Sequence, residues 1–179
     1  MKLSLSKLEQ YLSGAAWILK GPVDASDFKV FIFPLLFFKR ISDVYDEEFT
    51  QALEESSGDR KYAKLAEFHR FVIPNGCHWK DVREKTVNVG QSLENAFRSI
   101  EQSNQDLLYG IFGDAQWSNK NKLSDSLLND LIEHFSKYNL SNSKNLKNNI
   151  FKGIFKNIDL EKLIDSFKKQ NFEIILSQN

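Results

Sequence analysis

Nine consecutive apolar residues, 30–38 with Pro34 among them, limit this chain's options more than any other stretch. They lie inside V-D-A-S-D-F-K-V-F-I-F-P-L-L-F-F-K-R-I-S-D-V-Y-D-E-E, residues 23–48, between candidate helix-capping side chains and a charged exit. A membrane-spanning helix needs roughly 20 apolar residues, so the run is too short to cross a bilayer. It is also too apolar for a surface helix, which shows one stripe to the core and the rest to water. It is therefore expected to be the buried central helix of a soluble domain. Eleven residues return a helix to about the same face, which places Lys29, Arg40, Asp43 and Glu47 on one narrow polar stripe. Pro34 is expected to bend the helix, because its ring removes one intrahelical bond and crowds the preceding turn.

The rest of the chain is helical in pattern. Ser4 or Ser6 can cap a first helix with Leu8, Leu12, Ala15, Ala16 and Leu19 on its apolar face, and Gly21-Pro22 ends it. The central helix is expected to begin near Asp24, where D-A-S-D supplies a cap. After a turn at residues 56–59, residues 60–70 read as a short helix and residues 71–76 as an extended segment closed by a turn. Residues 90–106 carry Leu93, Ala96, Phe97 and Ile100 at helical spacing, residues 110–121 form a loop, and Ser124 caps a helix that turns Leu127, Leu128, Leu131, Ile132 and Phe135 inward. Past Tyr138 the chain is rich in Lys and Asn, with a further amphipathic repeat at Leu160, Leu163, Ile164 and Phe167. No βαβ alternation is visible. The expected fold is all-α, a bundle-like helical domain with one short extended segment near residues 70–74.

Charge and chemistry narrow the function. Lys+Arg and Asp+Glu balance at 24 each, whereas an autonomous nucleic-acid binder usually carries a basic excess. The one cysteine, Cys77, excludes an intramolecular disulfide and fits a reducing cytoplasm; the N-terminus has no signal-peptide run. The glycines are scattered, with no Gly-rich turn for a nucleotide or S-adenosylmethionine, and there is no Pro-Pro. Gly110-Ile111-Phe112-Gly113 has apolar residues where a nucleic-acid clamp would be basic, so it reads as a turn between helices. His69, Cys77, His78 and His134 lack metal-ligand spacing. Two groups remain. Lys39 and Arg40, with Lys29 on the same helix, can either touch phosphate or form an intrahelical network with Asp43. Trp79 and Trp117 can stack on a base or partner, or anchor the core.

Four ordered blocks resemble one family. The stretch A-W-I-L-K-G-P-V-D-A-S-D-F-K-V-F-I-F-P-L-L-F-F-K-R-I-S-D is similar to the start of the DNA-methyltransferase (modification) subunit of type I restriction–modification systems. I-P-N-G-C-H-W-K-D-V, S-L-E-N-A-F-R-S-I-E-Q-S-N-Q-D-L and L-L-N-D-L-I-E-H-F-S-K-Y-N-L-S resemble its later blocks in the same order. The likeness covers about residues 8–141, so residues 1–141 are expected to form the family's N-terminal helical domain and 142–179 a divergent tail. The family's Gly-rich cofactor loop and N-P-P-[YF] motif do not follow. The chain is therefore expected to be that domain without its catalytic partner, as a shortened gene product or a fragment. The family's L-R-G reads Leu19-Lys20-Gly21 here, and the arginine before its Trp is His78.

The resemblance implies a cytoplasmic protein, not an enzyme on its own, that serves assembly and DNA clamping in an adenine-N6 methyltransferase. Its implied partners are a specificity subunit, a second modification subunit, a restriction subunit and, through the complex, double-stranded DNA, with no membrane. S-adenosylmethionine belongs to the catalytic domain; no catalytic, cofactor or metal residue is expected in this chain. Lys20, Lys29, Lys39, Arg40, Trp79 and Lys80 are the candidate contacts to DNA or a partner. The alternative is an independent DNA-binding or regulatory module that uses the tail lysines, Lys144, Lys147, Lys152, Lys156, Lys168 and Lys169.

Overall fold

The structure, a computed structural model, describes residues 5–141. The chain divides into two compact units, one of Gly14–Ser141 and one made of Met1–Ser13 with Asn142–Asn179. Of the second unit, residues 5–13 are described and are helical. The tail lysines and the repeat at residues 160–167 lie outside the described residues.

The elements are α1 (Leu5–Leu19), α2 (Phe28–Glu55), α3 (Arg60–Ala63), α4 (Trp79–Arg83), α5 (Val89–Ser103), α6 (Gln105–Leu108) and α7 (Asp125–Phe135), with 3-10 turns at Ala25–Asp27 and Ala66–Phe68. Among the described residues there is no strand, and the fold is all-α. Helix α2 is its axis. Phe31, Ile32, Leu35, Leu36, Phe38, Ile41 and Val44 are buried along it. It continues as one helix through Pro34, in its second turn; Val30, whose carbonyl loses its partner there, is exposed to water.

An aromatic cluster locks α2 to the later elements. Phe31 meets Trp117 edge-on at 5.3 Å, Phe38 lies 5.2 Å from Trp79 and 5.5 Å from Phe97, and Phe97 stacks on Phe112 at 4.4 Å. Each such pair contributes about 0.5–1.5 kcal/mol beyond the area it buries. Trp117 and Phe112 are thus core residues, and Gly110 and Gly113 make the turn that drives Phe112 inward, both with positive φ. Helix α5 buries Leu93, Ala96, Phe97 and Ile100, as the spacing requires. Its start approaches the loop so closely that a Cβ on Gly90 would lie 1.9 Å from the Trp117 carbonyl oxygen. The Asp125 carboxylate accepts the Asn88 and Val89 N–H groups at 3.1 and 2.8 Å, capping α5 from the first turn of α7. Ser124 caps α7 by accepting the Leu127 N–H at 3.2 Å.

Three local expectations are corrected. No side chain caps the start of α2: Asp24 and Asp27 make no capping bond, and a 3-10 turn precedes the helix. The Asp27 carboxylate instead accepts Lys122 at 2.8 Å, which holds its pKa below the ordinary carboxylate value. Residues 60–70 are not one helix. Asp59 caps Arg60–Ala63 by accepting the Lys61 and Tyr62 N–H groups, and the chain then opens through the 3-10 turn to His69, whose Nε2 lies 2.8 Å from the Ala63 carbonyl. The 90–106 helix ends at Ser103, because Asn104 turns its side chain back on the fold.

That turn explains the extended segment near residues 70–74, which pairs with a side chain in place of a strand. The Asn104 carboxamide accepts the Val72 N–H at 2.9 Å and donates to the Val72 carbonyl at 2.8 Å and to the Ile100 carbonyl at 2.7 Å. One buried amide thus supplies both backbone bonds that a neighbouring strand would give.

Candidate functional site

The candidate contacts separate into an inner group and an outer group. The inner group is built on the turn of α2 at residues 39–43. Lys39 and Asp43, one turn apart, form an ion pair, and they are only 5% and 7% exposed. The Asp43 carboxylate also accepts the Leu140 N–H at 2.7 Å. Ser42 accepts the Trp79 N–H at 3.3 Å. The Trp79 ring lies 5.9 Å from the Lys39 ammonium, and its indole N–H donates to the Ser136 hydroxyl at 2.9 Å. Ser136 in turn donates to the Ile132 carbonyl at 2.7 Å. Lys39, Ser42 and Asp43 of K-R-I-S-D, the Trp of the second block and the Ser and Leu of the fourth therefore meet at one buried hub.

The third block holds the hub's surroundings. Leu93, Ala96, Phe97 and Ile100 are buried, with Phe97 against Phe38 of α2, Glu101 accepts the Phe112 N–H at 3.1 Å, and Asn104 clamps Val72. Four blocks far apart in sequence thus serve one interior.

Arg40 is also inside, at 7% exposure, with Nη1 enclosed and without a hydrogen-bond partner. Burial lowers its pKa, the nearby Arg70 adds to that, and Asp43, Glu47 and Glu48 oppose it. A guanidinium remains charged through such a shift. Glu48 takes the Arg70 guanidinium at 2.8 Å and the Arg70 N–H at 3.0 Å. Beside it, Tyr45 stacks on His69 at 3.9 Å and meets His78 edge-on at 4.8 Å. Burial lowers the His78 pKa, against the attraction of Asp81 and Asp46. His78 opens α4, and its N–H donates to the Asp81 carboxylate at 3.0 Å.

The outer group is Lys20, Lys29 and Lys80, all exposed. The Lys20 ammonium sits 4.6 Å from the centre of the Trp17 ring, and Trp17 is itself 58% exposed. Sequence spacing had offered Trp17 only as a motif match; exposure of so large a ring is what distinguishes it. Lys29 and Lys80 make no ion pair among the described residues. The structure joins Lys39 to Trp79, seats Arg40 one residue on, and leaves the three outer lysines facing solvent. Among the described residues no group of three His, Cys, Asp or Glu side chains is placed to hold a metal ion. No helix among them is long and apolar enough to cross a membrane.

The fold is an all-α domain whose family-like blocks meet around a buried Lys39–Asp43 ion pair, with Lys20, Lys29 and Lys80 exposed. Residues 8–135 match the model of the HsdM N-terminal domain, and the chain belongs to that family, the N-terminal domain of type I restriction–modification methyltransferase subunits. No curated protein matches the chain.

Proposed function

We propose that this chain is the assembly and DNA-clamping domain of a type I adenine-N6 methyltransferase subunit and does no methyl transfer by itself. S-adenosylmethionine would then be bound by a catalytic domain, and the target adenine flipped out of the duplex there. The working partners would be a specificity subunit, a second modification subunit and a restriction subunit, together with double-stranded DNA in the cytoplasm.

One observation carries the reading beyond the family match: the family-like blocks converge on the α2 hub, so they act in holding a shape. A domain whose motifs build a rigid interior is suited to present a surface. Lys20, Lys29 and Lys80, with the Trp17 ring, are the groups left to make contact on that surface. Lys39, Arg40 and Trp79 would support that surface from within. A formal net charge of zero suits a domain that meets phosphate only when its partners supply most of the positive field.

The test is reconstitution. The chain, co-expressed with the modification and specificity subunits of a type I system, is expected to co-purify with them, and Lys20→Glu with Trp17→Ala is expected to weaken that association. If the chain never associates with any of the subunits, the reading fails.

A further inference from the structure

We propose that residues 136–141 form a latched strap, one end of which is held by Trp79 of α4 and the other by Asp43 of α2, and which can detach at the Asp43 end without unfolding the helices. The first end is Ser136, tied to the Trp79 indole N–H at 2.9 Å; Trp79 is in turn tied through its own N–H to Ser42 at 3.3 Å. The second end is Leu140, whose N–H donates to Asp43 at 2.7 Å. Between them Lys137 and Asn139 are exposed and outside any helix, and Asn139 accepts the Ser141 N–H at 2.7 Å, giving the exit a closed turn.

The chemistry of the second end makes it the latch. An ionised carboxylate only accepts hydrogen bonds, and Asp43 has two donors, the Lys39 ammonium and the Leu140 N–H. Lys39 is the countercharge that lets Asp43 sit buried, so the ion pair persists when Leu140 leaves. Opening the latch therefore breaks the charge-assisted bond from the Leu140 N–H to Asp43 and exposes the half-buried Leu140 side chain, while the ring contacts of Phe38, Phe97 and Trp117 lie elsewhere in the core. Segments held by few buried contacts open locally well before the whole domain unfolds. This inference does not depend on the assembly reading.

The experiment uses the full chain and limited trypsin digestion, reading by mass spectrometry the cut after Lys137, inside the strap. Leu140→Pro removes the N–H and leaves the Lys39–Asp43 pair in place; Leu140→Ala removes the side chain and keeps the N–H. The Pro variant is expected to be cut after Lys137 about tenfold faster than the wild type or more, the size of one hydrogen bond to a charged group. The Ala variant is expected to stay well below it. Hydrogen exchange in α5 and α7 is expected to be unchanged in both. Equal cutting of the Pro and Ala variants would overturn the latch, and so would loss of protection in α5 and α7 together with the strap.

Discussion

Replacing Lys39 by Met removes one half of the ion pair at the hub, and the outcome depends on where the pair lies. In an exposed helical pair one turn apart, the loss would be about 0.3–0.5 kcal/mol. Lys39 and Asp43 are 5% and 7% exposed, so the Asp43 carboxylate would be left buried with the Leu140 N–H as its remaining donor. Breaking a buried pair from one side costs about 3–5 kcal/mol. Against the 5–15 kcal/mol that roughly bounds a domain's stability, that is a large fraction. Asp43→Leu should cost a similar amount, because it strands the Lys39 ammonium and leaves the Leu140 N–H without its acceptor. The double variant Lys39→Met/Asp43→Leu removes both charges, leaving the unpaired N–H at about 1–3 kcal/mol. It should therefore be more stable than the sum of the single losses, with a coupling of about 2 kcal/mol or more. Urea unfolding followed by tryptophan fluorescence measures all four proteins, since Trp79 and Trp117 are buried and report the core. Single variants within about 0.5 kcal/mol of the wild type, adding without coupling, would refute the buried hub.

Gly90→Ala should destabilise the domain by about 1–3 kcal/mol or more, because the added Cβ meets a backbone carbonyl 1.9 Å away that cannot rotate aside; thermal melting measures it. Asn104→Ala should cost about 1.5–3 kcal/mol, for three hydrogen bonds partly regained from water at the exposed Val72, and should raise hydrogen exchange at residues 70–74 first. The His78 pKa is lowered on folding, so the unfolded chain binds the proton first; stability is full above the ordinary value of 6.5 and falls as pH drops below it. His78→Gln should flatten that part of a stability–pH curve. The depressed carboxyl pKa values of Asp27, Asp125 and Glu133 place a second loss at lower pH, as those groups protonate and their partners Lys122, Val89 and Arg83 are released.

The central helix and its neighbours were legible because apolar periodicity is a local signal. Phe31, Ile32, Leu35, Leu36 and Phe38 of the apolar run, the Leu93–Ala96–Phe97–Ile100 stripe and the Ser124 cap all took the roles that their spacing gave them. What escaped depended on distant partners. Asp27 looked like a helix cap, but Lys122, 95 residues away, takes its carboxylate. Asn104 looked like one more helical position, and its amide instead completes the backbone bonding of Val72, 32 residues earlier. Lys39 illustrates the limit at the candidate site. Its spacing from Asp43 allowed an ion pair beside a phosphate contact, and only the packing of Trp79 and the Leu140 segment around it decides that the pair forms inside. Trp17 is the converse: it falls outside the apolar face of Leu8, Leu12, Ala15, Ala16 and Leu19, and its large ring faces water.

The most direct test of the proposed role is DNA affinity measured across a salt series, for the chain alone and for the chain joined to its modification and specificity partners. Alone, it is expected to bind duplex DNA weakly at physiological salt; in the complex, Lys20→Glu, Lys29→Glu and Lys80→Glu together should lower the affinity and flatten its salt dependence. Tight, steeply salt-dependent binding by the isolated chain, or a complex indifferent to the three substitutions, would contradict it.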